Sequence, residues 1–477
     1  MYFISIFPEI FLFLWAILIF VIDFFLKEDK RKNLGYLSLL GILITLVLLF
    51  FSAQEDMFGG AYSHDSLSLF FKIVFLLSAF LAILVSIDYV AKFRSFKGEF
   101  FGLILFSTVG MMLLSSAREL IFLYVSLELV TIPLYVLAAY LKPDRKSAEA
   151  GLKYMLLGAI SSAILLYGIS LIYGVTGTTF LHEIMTMLIR DFLHNGLIGP
   201  GLYLSFIFFI AGFGFKLALV PFHMWAPDVY EGAPTPITAF LSVGSKAAGL
   251  VAFLRVFFEP FSVYSLAWVT IVAVLAALSM IIGNIIALLQ TNIKRMLAYS
   301  SIAQVGYILV GLVAISGRGV SSVAFYTLAY LFANLGAFVV AIAFELQTGS
   351  SEIKDYSGLS RTSPSLSLLM TIFLLSLVGI PPLAGFVGKY FLFAAAIEKR
   401  LIWLVVIAVL TSVISLYYYV GVIREMYFNK KEGGEKIFLP FAIKLALLIC
   451  IIGVILVGLF PNPFLNLASQ AAMVFRY

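Results

Sequence analysis

Five ionisable residues sit where solvent would not put them. Glu128, Lys153, Lys216, Lys246 and Lys389 each lie more than a helical turn inside a long apolar run, with Gly, Ala or Ser close by in the chain. Small residues let helices approach closely inside a membrane. An ionisable side chain there costs several kcal/mol and must face protein or cavity water. One acid cannot neutralise four lysines, so fixed ion pairs that merely set helix packing do not account for the whole set. Buried lysines can exist as ammonium or as neutral amine near pH 7. A chain of such groups joined by water is a proton relay. Lys72, Arg255 and Lys444 also lie within runs, but near enough to an end to snorkel toward water. Asp23, Asp88 and Glu345 read the same way.

Two of the runs are broken. One leads into Val220-Pro221-Phe222-His223-Met224-Trp225-Ala226-Pro227; the other contains Gly379-Ile380-Pro381-Pro382-Leu383-Ala384-Gly385. Proline removes a backbone donor and clashes with the preceding turn. Freed carbonyls are tolerated at membrane depth only where protein or cavity water satisfies them. One such break reads as a packing kink; a pair in matching places of two halves points to an ion path. Pro221 and Trp225 overlay Pro382 and Phe386, and Ala150, Leu157, Ala159 and Ala163 overlay Ala324, Leu331, Ala333 and Ala337. His223, at the first break, reads either as a relay group or as a polar plug. It is the histidine expected at membrane depth, since His64, His182 and His194 fall in outer connections. A single such histidine cannot ligate a haem on both faces. The chain carries no CxxC, dinucleotide-type glycine motif or P-loop, and its single Cys450 can form neither an internal disulfide nor a thiolate metal site. No cofactor or metal is expected in this chain.

The elements that must hold these residues follow from composition. Of 477 residues, 62% are apolar and 12% charged, with a mean hydropathy of +1.09. A soluble chain carries about 25% charged residues, so a soluble enzyme, a disordered chain and a disulfide scaffold are excluded. A bilayer takes about 20 apolar residues per helix. Runs near 2–26, 34–53, 66–90, 99–117, 119–141, 148–174, 201–224, 236–258, 263–288, 292–316, 319–346, 364–396, 401–423 and 438–460 predict an all-α polytopic membrane protein of about fourteen spans. Between the sixth and seventh, Phe180, Ile184, Met187 and Leu188 are spaced for a short interfacial helix. The overlay suggests two five-span units, spans 4–8 and 9–13, whose odd count gives them inverted topology. Residues 1–98 then hold spans 1–3, 99–258 the first unit, 259–424 the second, and 425–477 the last span and a short tail. Connections after odd-numbered spans hold 18 Lys and Arg residues, Lys92, Arg94, Lys430 and Lys431 among them; the others hold 6, including Arg476. The positive-inside rule places the first set in the cytoplasm and both termini outside. The net charge of +6 is this topological signal and calls for no nucleic acid partner. The first run lacks a basic leader and carries Pro8 and Glu9, so it is expected as a retained span.

Three segments, Lys216 to Lys246, Gln290 to Tyr307 and Gly379 to Lys389, resemble the signature of the antiporter-like subunits of NADH-quinone oxidoreductase (respiratory complex I). That superfamily includes the Mrp-type cation/proton antiporter subunits, and the resemblance runs from the first span to the last. The chain is most similar to the N type in its Asp228–Pro236 stretch, in Lys389 where the M type has an acid, and in ending soon after the last span. The resemblance implies a proton-translocating subunit of a quinone-reducing translocase in the cytoplasmic (cell inner) membrane. Its partners would be other membrane subunits, homologous ones included, together with lipid and protons. NADH, FMN, iron–sulfur clusters and quinone would belong to partner subunits. By the same resemblance, Glu128 and Lys216 would meet in an entry half-channel, Lys246 would be the central relay, Lys389 would serve the exit, and Lys153 is a further lysine often present. Where the L and M types carry a histidine in the eleventh span, this chain has Thr327, Leu328 and Tyr330. That departure leaves the link from Lys246 to Lys389 to water, tyrosine hydroxyls or neighbours. The rival expectation is a subunit of an Mrp-type Na⁺/H⁺ antiporter or an independent cation/proton transporter.

Overall fold

Within hydrocarbon every backbone polar group must find an internal partner, and a helix supplies one for each. The apolar runs accordingly fold as helices in the computed structural model, which describes residues 4–27, 30–90, 97–196, 198–429 and 436–475. Lys92, Arg94, Lys430, Lys431 and Arg476 lie outside the described residues. The helices are α1 (Phe7–Phe25), α2 (Asn33–Phe50), α3 (Ser66–Val90), α4 (Lys97–Ser116), α5 (Leu120–Ala138), α6 (Arg145–Thr176), α7 (Leu181–Asn195), α8 (Pro200–Leu217), α9 (Trp225–Gly232) and α10 (Thr235–Phe240). They continue with α11 (Lys246–Phe258), α12 (Ser265–Ala287), α13 (Ile293–Leu312), α14 (Gly317–Thr348), α15 (Leu359–Thr362), α16 (Pro364–Val378), α17 (Ala384–Glu398), α18 (Ile402–Phe428), α19 (Phe441–Leu459) and α20 (Pro461–Ala472). A π-helical turn, Leu241–Ser245, joins α10 to α11.

Among the described residues, twelve helical stretches are long and apolar enough to cross a membrane. The run at 292–316 also folds as a helix, α13, whose Ser300, Ser301 and Gln304 dilute its apolarity. The run at 364–396 folds as two half-helices, α16 and α17, each of 15 residues. The π turn with its flanking helices and α14 are buried throughout their apolar stretches. Around α14 pack α3, α10, α13, α16, α17, α19 and α20. Outer helices such as α1, α6 and α18 turn large apolar side chains outward, Phe24, Leu156 and Tyr417 among them. In a membrane that outward face meets lipid.

A short helix forms where one was expected, α7, with Leu181, Ile184 and Leu188 buried on one face; of the residues expected on that face, Met187 is exposed and Phe180 precedes the helix. The tail contains one element the sequence did not announce. Pro461 opens α20, whose Ala468, Ala471 and Ala472 form a small-residue face packed on α3 and α14. Lys72 and Arg255 overturn the snorkelling expectation, since both are 0% exposed. Lys72 forms an ion pair with Glu9 at 2.6 Å and donates to Tyr62 at 3.0 Å and to His64 Nδ1 at 2.8 Å. Arg255 grips Asp65 with two nitrogens, at 2.6 and 2.7 Å. Tertiary packing closes over these ends, and their counter-ions come from other helices and loops. Burial and the neighbouring Lys72 ammonium push His64 down to about 3, which keeps its ring neutral. Lys444 is exposed, as a snorkelling residue should be.

Candidate functional site

Three of the expected lysines stand at irregularities in the helices. Lys216 lies in the last turn of α8, beyond which Ala218 adopts a left-handed conformation (φ 57°) and the chain breaks toward Pro221. Lys246 follows the π turn. Lys389 lies in the first turns of α17, after the break that begins at Gly379 (φ 96°). All three are at most 4% exposed, and none has a carboxylate within ion-pair distance among the described residues.

Their partners differ. Lys216 Nζ has no hydrogen-bond partner. Its stem crosses α11 at Gly249, where a Cβ would stand 3.0 Å from Lys216 Cγ, one turn beyond Lys246. Lys246 Nζ donates to Ser301 Oγ at 2.7 Å and faces the Tyr230 ring, 5.8 Å from its centre. Lys389 Nζ donates to the Val378 carbonyl and to Ser412 Oγ, both at 2.9 Å, and lies 4.2 Å from the centre of the Tyr307 ring. Val378 is the last residue of α16, so the lysine takes up a carbonyl that the break sets free.

Glu128 is half-buried on α5 and accepts from Ser162 of α6, with Thr131 at 3.4 Å. The direct meeting of Glu128 and Lys216 that the resemblance implies is absent among the described residues. Ser162 and Thr131 hold the carboxylate instead. A cavity of about 10 Å³, lined by Ser162, Thr131 and Lys216, lies beside it. That is about one water position.

Lys153 is corrected more fully. Its side chain is 40% exposed and is held by Glu149 at 2.7 Å and Asp228 at 2.6 Å. Arg295 reaches both Asp228 and Glu231, at 2.8 and 3.0 Å, and Lys146 reaches Glu231 at 2.8 Å. Burial alone would raise these two carboxyls. Hydrogen bonds from Lys153 and Arg295 to Asp228, and from Lys146 and Arg295 to Glu231, hold both below the usual carboxylate range. Lys153 lies on the outward face of α6, whose other face buries Ala150, Gly151 and Tyr154 at the same level. His223 is buried at the first break with Nδ1 unpartnered, and it bonds to none of Lys216, Lys246 and Lys389.

Sequence reasoning named Tyr330 and left the link to tyrosine hydroxyls among other carriers, but missed Tyr326, Asn334 and Gln304 beside it. Tyr326, Tyr330 and Asn334 line one face of α14 at four-residue spacing. Tyr326 donates to Gln304 at 2.5 Å, and Asn334 donates to Ser242 in the π turn at 2.6 Å. A polar stripe at that spacing in an otherwise apolar helix was the available signal.

Residues 117–415, which include Glu128, Lys216, Lys246 and Lys389, match the family described as NADH:quinone oxidoreductase/Mrp antiporter, TM. The chain belongs to this family. Among relatives of this NADH:quinone oxidoreductase/Mrp antiporter chain, NADH-quinone oxidoreductase subunit N of Heliobacterium modesticaldum is 45% identical over 94% of the chain and 93% of the relative. A chain of respiratory complex I from Thermus thermophilus with bound aureothin is 34% identical, with a TM-score of 0.81 over 97% of this chain and 99% of that one. A chain of the membrane-bound sulfane sulfur reductase, an archaeal respiratory membrane complex, is 28% identical, with a TM-score of 0.86 over 98% and 97%. The buried pairs Glu9–Lys72 and Asp65–Arg255 draw three of their four residues from outside the matched segment.

Proposed function

We propose that this chain is the antiporter-like N-type subunit of NADH-quinone oxidoreductase, moving protons across the membrane while quinone is reduced elsewhere in the complex. The observation that carries this reading is the row of Lys216, Lys246 and Lys389, each buried at a helix irregularity without a carboxylate partner. A buried lysine can give up and regain a proton, which arginine cannot. While Glu128 is ionised, Lys216 holds its proton. When that carboxylate is neutralised or drawn away, Lys216 passes the proton toward Lys246, and Lys246 passes one toward Lys389. A shift of one pKa unit is worth about 1.4 kcal/mol, so a few units of swing direct each step. Lys153 and His223 stand off this line and carry no step of it.

The driving energy comes from partner subunits, homologous membrane subunits among them. NADH, FMN, iron–sulfur clusters and quinone belong to those partners, and this chain contributes translocation without a redox group. It crosses the cytoplasmic membrane fourteen times, with α13 as one crossing and α16 with α17 as another, and both termini outside. Residues 99–258 and 259–424 form two inverted five-span units, flanked by 1–98 and 425–477. Supporting the repeat, left-handed residues cap α8 at Ala218 and α16 at Gly379, each three residues before the prolines that the overlay matches, Pro221 and Pro382. The test is Lys389→Ala in the assembled complex. Proton pumping per electron pair should fall while the complex remains intact; pumping at the parental level would remove Lys389 from the relay.

A further inference from the structure

Between Lys246 and Lys389 runs a band of side chains richer in hydroxyls than in charge. On the Lys246 side it begins with Ser301, which accepts from the lysine at 2.7 Å. On the Lys389 side it ends with Ser412, which accepts from that lysine at 2.9 Å. In the interior, Ser300 bonds Tyr419, Tyr418 donates to Asn284 at 3.0 Å, and Asn284 donates to Tyr307 at 3.0 Å. The amides have a distinct part. An amide cannot take a proton and release another as a hydroxyl does, so Gln304 and Asn284 fix the orientation of tyrosines and do not conduct. Gln304 is itself anchored, donating to the Leu377 carbonyl at 2.9 Å beside the second break.

Two hydroxyls in this band lack a well-formed hydrogen bond. Tyr330, on the same face of α14 as Tyr326 and Asn334, is buried with its hydroxyl directed at Ser301, yet it falls short of a well-formed hydrogen bond there. An unpaired buried hydroxyl costs roughly 1–3 kcal/mol, so packing alone would favour phenylalanine here. Tyr230, whose ring faces Lys246, has a hydroxyl directed at the same Ser301 and in the same condition. Two such oxygens near the hydroxyl that receives Lys246 leave a cluster of polar groups short of partners.

We infer that Tyr330 is the relay residue through which a proton leaves the Lys246 site toward Lys389, by way of water and the hydroxyls of the band. The inference rests on the relay reading of the lysines. The step balances without ionising tyrosine. An N–H bond of the Lys246 ammonium breaks as an O–H bond forms at the next oxygen, each hydroxyl gives up its own proton as it gains one, and the last proton forms an N–H bond on the Lys389 amine. Lys246 ends as amine and Lys389 as ammonium.

The experiment compares Tyr330→Phe with Lys389→Ala and Tyr356→Phe, each in the whole complex reconstituted in vesicles, reading protons pumped per electron pair and thermal stability. Tyr356 is also fully buried with an unbonded hydroxyl, but stacks on Phe344, and the rings that Lys246 and Lys389 face are Tyr230 and Tyr307. Tyr330→Phe should lose pumping with stability equal to the parent or higher, and Tyr356→Phe should pump as the parent does. Parental pumping by Tyr330→Phe alongside loss in Lys389→Ala overturns the inference and leaves the lysine relay standing. Parental pumping by both sinks the relay as well. Failure of Tyr330→Phe to assemble also overturns the inference, because a hydroxyl with no bond carries no fold.

Discussion

A lysine and an arginine carry the same charge, and Lys216 is where the difference between them matters. Its Nζ touches no acceptor and its stem lies on the helix of Lys246. A static cation would tolerate arginine, whereas a relay needs a group that deprotonates. Lys216→Arg and Lys216→Met should therefore both lose most of the proton yield per electron pair in an assembled complex. Parental pumping by Lys216→Arg would make the residue structural. Lys72 predicts the opposite pattern. Removing one member of a buried pair costs about 3–5 kcal/mol, so Lys72→Met should lower the melting temperature of the complex by leaving Glu9 uncompensated, and Glu9→Gln in the same chain should recover much of the loss. Unchanged melting of Lys72→Met would refute the pairing. The neighbouring Asp65 adds a pH dependence. Burial pushes its carboxyl up, but the Arg255 guanidinium more than offsets this and holds it below its ordinary value. A depressed carboxylate stabilises above its unfolded value and loses that contribution as pH falls through its folded one. Melting of the complex should thus decline below about pH 4, and less steeply in Asp65→Asn. The lysines of the proposed relay were legible because a charge inside an apolar run stands out in one dimension. Their partners were not, since Glu9 and Lys72, or Tyr330 and Ser301, meet only after distant helices pack.

The second break shows how an element creates such a site. The reversal after α16 brings Gly385 so close that a Cβ there would lie 1.8 Å from the Ser376 carbonyl oxygen, a backbone atom that cannot swing aside. The same turn presents the Val378 carbonyl to Lys389. Gly385→Ala should destabilise by at least the 1–3 kcal/mol typical of overpacking and reduce assembled complex, as read by native gel and thermal melting. Parental assembly and melting would mean that the reversal is looser than this contact requires. Prolines made both breaks visible in the sequence, and the three- and four-residue spacing made α7 visible. Helix α20 was hidden because an alanine face becomes informative only when something packs on it. The exposed position of Lys153 was hidden for a related reason: a run that is apolar all round does not announce which face of the helix turns outward, and Ala150 and Tyr154 beside Lys153 are buried while it is not.

At the scale of the molecule, the number of crossings and the orientation stand or fall together, since each crossing reverses the side. The fourteen-span reading and the loop charges place the connections at Lys142 and Lys354 in the cytoplasm and those at Gln54 and Asn466 outside. All four residues are exposed, and the native Cys450 is buried and should stay silent toward a polar thiol reagent. Single cysteines at the four positions, probed with a membrane-impermeant reagent on intact cells and on inverted vesicles, separate the alternatives. Three runs lie between residues 54 and 142, six between 142 and 354, and three between 354 and 466. Gln54→Cys and Asn466→Cys should react from outside, Lys142→Cys and Lys354→Cys from the cytoplasm. If α13, polar along one face, only dips into the bilayer, 142 and 354 label from opposite sides. If α16 and α17 re-enter without crossing, 354 and 466 label from the same side. Either result would also undo the inverted repeat, because each proposed unit reverses direction only by crossing an odd number of times.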